Sequence, residues 1–233
     1  MADGKNIHTG HRKRAKTEFL ARGLEGMPDH KVLELLLFYA IPQGDVNPLA
    51  HELLEHFGSL SGVFNATQEQ LMTVKGVGEN TATLIRLVTA VGGRYLQDRV
   101  DLKETYTESW QFQELLAPCF FGARNEMAYL VCLDAKRKLI ACKKISEGDA
   151  LSTDVSARSI VSTALTCNAV YVVLAHNHVS GLALPSAQDR VTTKHLHKLL
   201  LEVGVRLIDH YIVVDGDMVS MQQSGYWNEF GGI

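Results

Sequence analysis

The most informative segment of the chain is VVLAHNHVSGLALPSAQD, residues 172–189. Its apolar start predicts a buried strand, and this strand leads directly into two histidines, His176 and His178. In an extended chain, residues i and i+2 project to the same side, so both imidazoles can face one ion. Asp189 follows a loop containing glycine and proline, near the start of the next helix, where its carboxylate can turn back. The segment therefore predicts a metal site with His176, His178 and Asp189 as ligands.

Two histidines and one carboxylate are a ligand set typical of catalytic zinc. A tetrahedral Zn²⁺ with three protein ligands keeps its fourth position for water, whereas structural zinc sites are closed by four protein ligands. The pKa of a water bound there falls to about 7, which makes hydroxide available at neutral pH. A bare H-x-H pair is as often structural as functional, so the zinc interpretation depends on the full spacing.

The full spacing, H-x-H-x(7)-S-x(2)-D, is met by His176, His178, Ser186 and Asp189. This pattern resembles the JAMM motif of the MPN-domain metalloproteases. The wider context, A-H-N-H-x-S-G, then P-S-x-x-D, then L-x-D-H-x-I-V at residues 207–213, resembles the bacterial RadC family more closely, over nearly the whole chain. The resemblance implies a two-domain α+β protein, with a small all-α helix-hairpin-helix domain and an α/β MPN domain of cytidine-deaminase-like fold. It also implies a JAMM-type zinc hydrolase.

The resemblance assigns catalytic roles to two further side chains. Ser186 matches the motif serine and would donate a hydrogen bond to the oxyanion of a tetrahedral intermediate, although it is also placed to cap the following helix. The family's general base is a glutamate on an early strand. Glu126, just before the strand-like run 127–133, stands at the corresponding place, and Glu147 is the alternative.

Two other positions in the motif region bear on the ligands. Val179 stands where the family usually has proline, which leaves every ligand in place but loosens the turn. Asp209 and His210 are candidates for a pair that orients a metal-binding imidazole, since such rings need a partner on the other nitrogen. A satisfied pair in the core is the alternative for these two residues.

The first part of the chain predicts a helical domain over residues 1–98, and the second an α/β domain over residues 108–233. The polar stretch 97–109 separates them, because the hydrophobic period changes there from helical to alternating. The predicted helices cover residues 31–40, 46–57, 67–74, 79–96, 154–167 and 188–203, and the predicted strands cover residues 127–133, 139–145, 169–175 and 205–214.

Residues 71–82, LMTVKGVGENTA, resemble a helix-hairpin-helix element. Glycines permit the tight turn, and the amides that open the next helix can hold a phosphate oxygen. Lys75, Gly76 and Gly78 are therefore candidate nucleic-acid-binding residues, and a hairpin kept for packing is the alternative. Lys75 is the only cation of the hairpin, which predicts weak binding unless the basic residues 5–16 supplement it.

Composition excludes several classes of protein. With 46% hydrophobic and 21% charged residues, the chain has the material for packed cores. A net charge of −3 is incompatible with a strongly basic nucleic-acid binder, although a local basic patch is not excluded. The four cysteines form no C-x-x-C pair, which disfavours a zinc ribbon and suits a reducing compartment. Since no run approaches the roughly 20 apolar residues of a membrane helix, we expect a cytoplasmic protein with no membrane partner.

Two functions follow as hypotheses. The first is a zinc-dependent hydrolase that cleaves a peptide or isopeptide bond through metal-activated water, with the helical domain recruiting it to DNA or to a partner. The second is a DNA-binding protein associated with DNA repair, whose MPN domain is a scaffold or whose metal serves phosphodiester cleavage. The complete ligand set favours the enzyme, because a scaffold need not keep it.

Overall fold

The structure, a computed structural model, describes residues 10–98, 105–148, 153–179 and 181–230. The chain divides into two compact units, Met1–Val91 and Gly92–Ile233. Part of the predicted boundary segment, residues 99–104, lies outside the described residues. In the described part of the chain, no helix has both the length and the apolar character needed to cross a bilayer.

The first unit is built from helices, as its sequence predicts. The helices are α1 (His11–Arg22), α2 (Asp29–Ala40), α3 (Asn47–Phe57), α4 (Leu60–Asn65), α5 (Gln68–Met72) and α6 (Glu79–Asp98), the last of which extends beyond the division between the units. Their starts and ends follow local chemistry: Pro28 precedes α2, a left-handed Gly58 ends α3, and Thr67 opens α5 with a reciprocal capping box. One apolar core contains side chains of α2, α3, α4, α5 and α6.

Helix α4 was not singled out by the hydrophobic pattern. Six residues that include Ser61 and Gly62 carry too little periodicity to mark a helix. Its N-cap is Ser59, whose hydroxyl accepts the Gly62 N–H at 3.0 Å. A Cβ at position 62 would collide with the carbonyl of Phe57, so glycine is what lets the chain turn this closely after α3.

The second unit is a five-stranded mixed sheet in the order β2-β1-β3-β4-β5. Its strands are β1 (Met127–Leu133), β2 (Leu139–Glu147), β3 (Tyr171–Asn177), β4 (Arg206–Val214) and β5 (Asp217–Ser220). Its helices are α7 (Ser109–Leu116), α8 (Thr153–Thr166) and α9 (Ala187–Glu202), with short 3-10 segments at Ala117–Phe120 and Tyr226–Phe230. All four predicted strands and both predicted helices are present. Two elements were not predicted: α7, which begins within the polar stretch 97–109, and β5, which is only four residues long.

Apolar side chains cover both faces of the sheet, which explains why β1 and β3 read as nearly continuous apolar runs. One face packs against α7 through Val131, Val173 and Tyr211, among others. The other face packs against α8 and α9 through Leu130, Cys132, Val172, Leu174 and Leu207. The same alternation decides which face of the sheet each residue at the strand ends points to.

Strand directions bring three chain segments to one edge of the sheet. β3 runs parallel to β4 and antiparallel to β1, so the carboxyl ends of β3 and β4 lie beside the start of β1. On β3, Val172 and Leu174 face the layer of α8 and α9, and the same alternation places His176 on that face. Asn177 is thereby directed to the opposite face, toward the layer of α7.

Candidate metal centre

The two histidines of the motif lie at the end of β3. His176 is the penultimate residue of the strand and is paired with Ala128 of β1 and Ile212 of β4. His178 is held just beyond the strand, because its backbone N–H donates to the Val213 carbonyl at 2.9 Å. Backbone hydrogen bonds of the sheet therefore position both histidines.

Asp189 approaches the histidines from the first turn of α9. Ser186 is the N-cap of this helix, and its hydroxyl accepts the Asp189 N–H at 3.1 Å. In return the Asp189 carboxylate accepts the Ser186 N–H at 2.7 Å, which completes a capping box. The motif serine thus has the capping role that was one of its two interpretations, and the same box aims the carboxylate.

The donor atoms of His176, His178 and Asp189 are spaced as one zinc ion requires. The two Nε2 atoms lie 2.9 Å apart, and they lie 3.1 Å (His176) and 3.2 Å (His178) from the two carboxylate oxygens of Asp189. Tetrahedral bonds of about 2.0–2.1 Å set neighbouring donors roughly 3.3 Å apart. Within the described residues, these three side chains are the group that could hold a metal, and their chemistry and spacing fit zinc.

The cluster is buried except at His178. The side chains of His176 and Asp189 are only 2% and 5% exposed, whereas that of His178 is 21% exposed. Burial opposes ionisation of Asp189, but the adjacent His176 imidazole and the hydrogen bonds of Ser186 hold its pKa well below the usual range. The carboxylate is therefore ionised, as a metal ligand must be.

A buried chain of hydrogen bonds fixes the orientation of His176. Its Nδ1 lies 2.8 Å from Nε2 of His210, and His210 Nδ1 lies 2.6 Å from the Thr193 hydroxyl. Thr193 in turn donates to the backbone carbonyl of Asp189 at 2.6 Å. Since that hydroxyl has a single proton, it must accept from His210 Nδ1–H, and His210 Nε2 must accept from His176 Nδ1–H. This assignment leaves the Nε2 lone pair of His176 pointing at the site.

Burial lowers the pKa of His210 well below its ordinary value, with the neighbouring His176 adding to the effect. The ring is therefore neutral, as the chain of hydrogen bonds requires. Asp209 does not pair with this ring: its carboxylate accepts the backbone N–H groups of His210 at 2.7 Å and Gln222 at 3.0 Å, and the Ser220 hydroxyl. The two candidates thus have separate tasks, His210 on the ligand and Asp209 on the backbone of β4.

Glu126 immediately precedes β1 and is held by contacts on both sides. The side-chain amide of Asn177 accepts the Met127 N–H at 2.7 Å and donates to the Asn125 carbonyl at 3.1 Å. The Glu126 carbonyl itself accepts the Gly148 N–H at 2.9 Å. The glutamate is partly buried and lies at the edge of the sheet where β3 delivers its histidines.

Glu147, the alternative base, lies one strand farther from the ligands. It is paired with Met127 across β1 and β2, at the end of the outermost strand. Its carboxylate is exposed and accepts from the Lys144 ammonium at 2.5 Å, an interaction that lowers its pKa. A carboxylate with a lowered pKa is a poorer proton acceptor, which weakens the case for Glu147 as a general base.

The hairpin residues of the first unit form a tight turn between α5 and α6. Gly76 has φ 96°, which favours glycine, and Val74 and Val77 are buried on either side of the exposed Lys75. Gly78 accepts the Ala82 N–H, so it caps the start of α6.

The basic segment 5–16 could add phosphate contacts to those of the hairpin, and its residues 5–9 lie outside the described part of the chain. Arg12 donates to the carbonyls of Ile41 and Gly44, both at 2.8 Å, and so ties α1 to the end of α2. Its guanidinium is therefore engaged in packing the helical unit.

Each of the two units contains a match to a known family or motif model. Residues 106–226 match the family model described as the RadC-like JAB domain, and residues 59–88 match the helix-hairpin-helix motif. This chain belongs to the RadC family.

Relatives within the RadC family align with nearly the full chain. A UPF0758 protein of Ruegeria pomeroyi is 35% identical over 219 residues, covering 93% of this chain and 96% of its own length. A UPF0758 protein of Rhodobacter capsulatus is 35% identical over 213 residues, with coverages of 90% and 98%. One from Vibrio cholerae is 33% identical over 211 residues, with coverages of 91% and 94%. The similarity to these relatives therefore extends over both units of this chain.

Thr193 and Asn177 also contribute to the candidate metal centre, and neither role was predicted from the sequence. Thr193 follows Asp189 by four residues on α9, so helical periodicity places the two side by side and was a usable signal. Asn177 was visible between the two histidines, but the partners of its amide lie 50 and 52 residues away. Only the pairing of β1 with β3 reveals them.

Proposed function

We propose that the chain is a zinc-dependent hydrolase of the JAMM type that cleaves peptide or isopeptide bonds. The observation that carries this proposal is the convergence of His176, His178 and Asp189, with donor atoms 2.9–3.2 Å apart, in a cluster that is exposed at His178. A zinc ion, when bound, supplies the Lewis acidity that makes hydroxide available at neutral pH. The bond class is the one expected of the JAMM motif.

The chain's own residues supply the remaining functions. Glu126 takes the proton of the attacking water and passes it to the leaving amine, as a general base and then acid. The hydroxyl of Ser186 accepts the Asp189 N–H in the capping box, and its O–H is the group that donates to the developing oxyanion. His210 and Thr193 keep His176 in the tautomer that presents Nε2 to the metal.

The test is an activity screen with matched forms of the full chain. Zinc-loaded protein, chelator-treated protein and the His178→Ala variant are incubated with libraries of peptides and of lysine-linked isopeptides, and with single- and double-stranded DNA. The control is His195→Ala, which removes an exposed histidine of α9 outside the cluster. We expect amide cleavage by the zinc-loaded wild type and by the His195→Ala control, and no cleavage by the chelator-treated protein or by His178→Ala. Cleavage of DNA instead of amides, or equal cleavage by His178→Ala, would contradict the proposal.

We also propose that the helical unit contributes DNA-backbone binding to this function. The match of residues 59–88 to the helix-hairpin-helix motif supports it, together with the exposed Lys75 beside the start of α6. Amides at a helix start hold phosphate but read no sequence, so such binding would be non-specific and sensitive to salt. The hydrolase would then be recruited to DNA rather than act on it.

A further inference from the structure

Asn177 is the residue between the two proposed histidine ligands, and its side chain lies on the face of the sheet opposite to His176. We infer that Asn177 is a positioning residue that fixes Glu126 beside the metal ligands through the backbone on both sides of that glutamate. This inference rests on the hydrolase function proposed above, because it gives Glu126 its catalytic task. It assigns to the middle of the H-N-H sequence a role distinct from metal binding.

The contacts of Asn177 enclose Glu126 on both sides. Oδ1 accepts the N–H of Met127 at 2.7 Å, and Nδ2 donates to the carbonyl of Asn125 at 3.1 Å, so one amide holds the two neighbours of Glu126. Asn177 is only 5% exposed, and a hydrogen bond in such surroundings is costly to leave unmade. The Gly148 N–H holds the Glu126 carbonyl as a third restraint.

The sheet register explains why this residue is needed. β1 and β3 pair antiparallel as far as Ala128 with His176. Continuing the same register by two residues would place Glu126 opposite His178, on the same face as the ligands. The backbone ladder ends before that point, and the Asn177 amide takes over the connection between the two strands. The glutamate is thereby held in line with the ligands although it lies outside the strand.

The chemistry of the side chain fits the task. Bridging a backbone N–H and a backbone C=O requires an acceptor and a donor on one short planar group, which asparagine has. Aspartate would keep the acceptor for Met127 but would oppose the Asn125 carbonyl with a second acceptor. Alanine would leave both backbone groups without this partner. The expected order of function is therefore asparagine, then aspartate, then alanine.

The size of the effect follows from the precision that proton transfer demands. A shift of about 1 Å in a catalytic group costs on the order of 100-fold in rate. We expect Asn177→Ala to lower kcat by about 10- to 100-fold with little change in KM. Zinc affinity should fall by less than the roughly 10-fold that loss of an orienting partner costs, because Asn177 contacts no ligand side chain.

The experiment compares Asn177→Ala and Asn177→Asp with Gln113→Ala in the full chain. Gln113 is a matched control, since its side-chain amide also donates to a backbone carbonyl, that of Met218 on β5, at 3.5 Å. Three quantities are measured: hydrogen exchange of the Met127 amide in metal-free protein, zinc affinity, and kcat on an amide substrate of the wild type. The kcat measurement is repeated in a Glu126→Gln background.

We expect faster exchange of the Met127 amide in Asn177→Ala, near-normal exchange in Asn177→Asp and Gln113→Ala, and no further loss of kcat when Asn177→Ala is added to Glu126→Gln. Unchanged exchange in Asn177→Ala, or losses of kcat that add fully in the double variant, would overturn the inference. If zinc-loaded wild type cleaves no amide, the hydrolase proposal fails by itself. The exchange of Met127 then still decides whether Asn177 holds the backbone around Glu126.

Discussion

The candidate metal centre of the α/β unit and the hairpin of the helical unit both follow from short sequence motifs, but the two motifs differ in what they fix. In the candidate metal centre, each proposed ligand is held by a further hydrogen bond. His210 contacts the His176 ring, the capping box holds the Asp189 carboxylate, and the Val213 carbonyl of β4 accepts the His178 backbone N–H. In the hairpin, the motif fixes a backbone turn, and the side chain that would meet a ligand, Lys75, is exposed. A motif of converging side chains therefore specifies chemistry, whereas a motif of backbone shape specifies only an opportunity to bind.

The largest effect should separate the two candidate bases. Glu126→Gln should lower kcat for amide cleavage by about 10²- to 10⁴-fold, because it removes general acid–base catalysis. Glu147→Gln, which breaks an exposed ion pair with Lys144 instead, should leave kcat nearly unchanged. Steady-state kinetics of both zinc-loaded variants decides between them. The reverse pattern would move the catalytic role to β2.

A smaller effect should come from the contacts behind the ligands. His210→Ala should weaken zinc binding by about 10- to 100-fold, since His176 loses the partner that fixes its tautomer. His197→Ala is the matched control: it removes another buried histidine of the same unit, one that contacts Trp227 and no ligand. Competition titrations with a chelating dye measure both affinities. Equal losses in the two variants would show that unit stability, and not orientation of His176, is what changed.

The helical unit should respond to changes of backbone shape. Gly76→Ala should lower the free energy of unfolding by about 1–2 kcal/mol, because φ at this position is 96° and a Cβ disfavours that region. Gly78→Ala should cost less, since a Cβ there meets no atom within 4 Å and φ lies outside the left-handed region. Urea denaturation followed by circular dichroism compares them. A larger loss from Gly78→Ala would mean that the turn is not specified by the conformation of Gly76.

The smallest effect should be on DNA binding. Lys75→Ala should reduce the slope of log affinity against log salt concentration by about 1, the contribution of one phosphate contact. Lys31→Ala removes an exposed lysine of α2 outside the hairpin and should leave the slope unchanged. Fluorescence anisotropy with labelled single- and double-stranded DNA over a salt series gives both slopes. Binding that does not depend on salt would leave the hairpin with a packing role only.

Much of the fold could be predicted because strands and helices leave strong periodic signals. β1 begins and ends where the apolar run 127–133 does, and α2, α3 and α6 differ from expectation by no more than two residues at either end. Short elements were missed: α4 and β5 have too few residues for a period to show. Helix α7 was missed because its first residues continue a polar stretch, and its buried side chains Phe112, Leu115 and Leu116 follow only later.

The candidate site divides in the same way. The ligand positions follow from spacing along one strand and one helix start, which are local properties of the chain. The sequence made His210 only a candidate partner of His176, since their contact joins residues 34 positions apart and depends on β3 and β4 being neighbours. The two hydrogen bonds that the Asn177 amide makes on either side of Glu126 depend on strand order in the same way. Long-range pairing is what the sequence pattern leaves undetermined.

The most direct test of the account is the zinc content of the protein, measured by native mass spectrometry after zinc loading and dialysis. We predict one zinc ion per wild-type chain, and an affinity more than about 100-fold lower in His178→Ala and in Asp189→Ala, beyond the cost of losing an orienting partner. The His195→Ala control should retain the full content. A wild-type chain that remains folded and takes up no zinc, or variants that bind it as tightly as wild type, would contradict the claim that these three side chains form the metal centre.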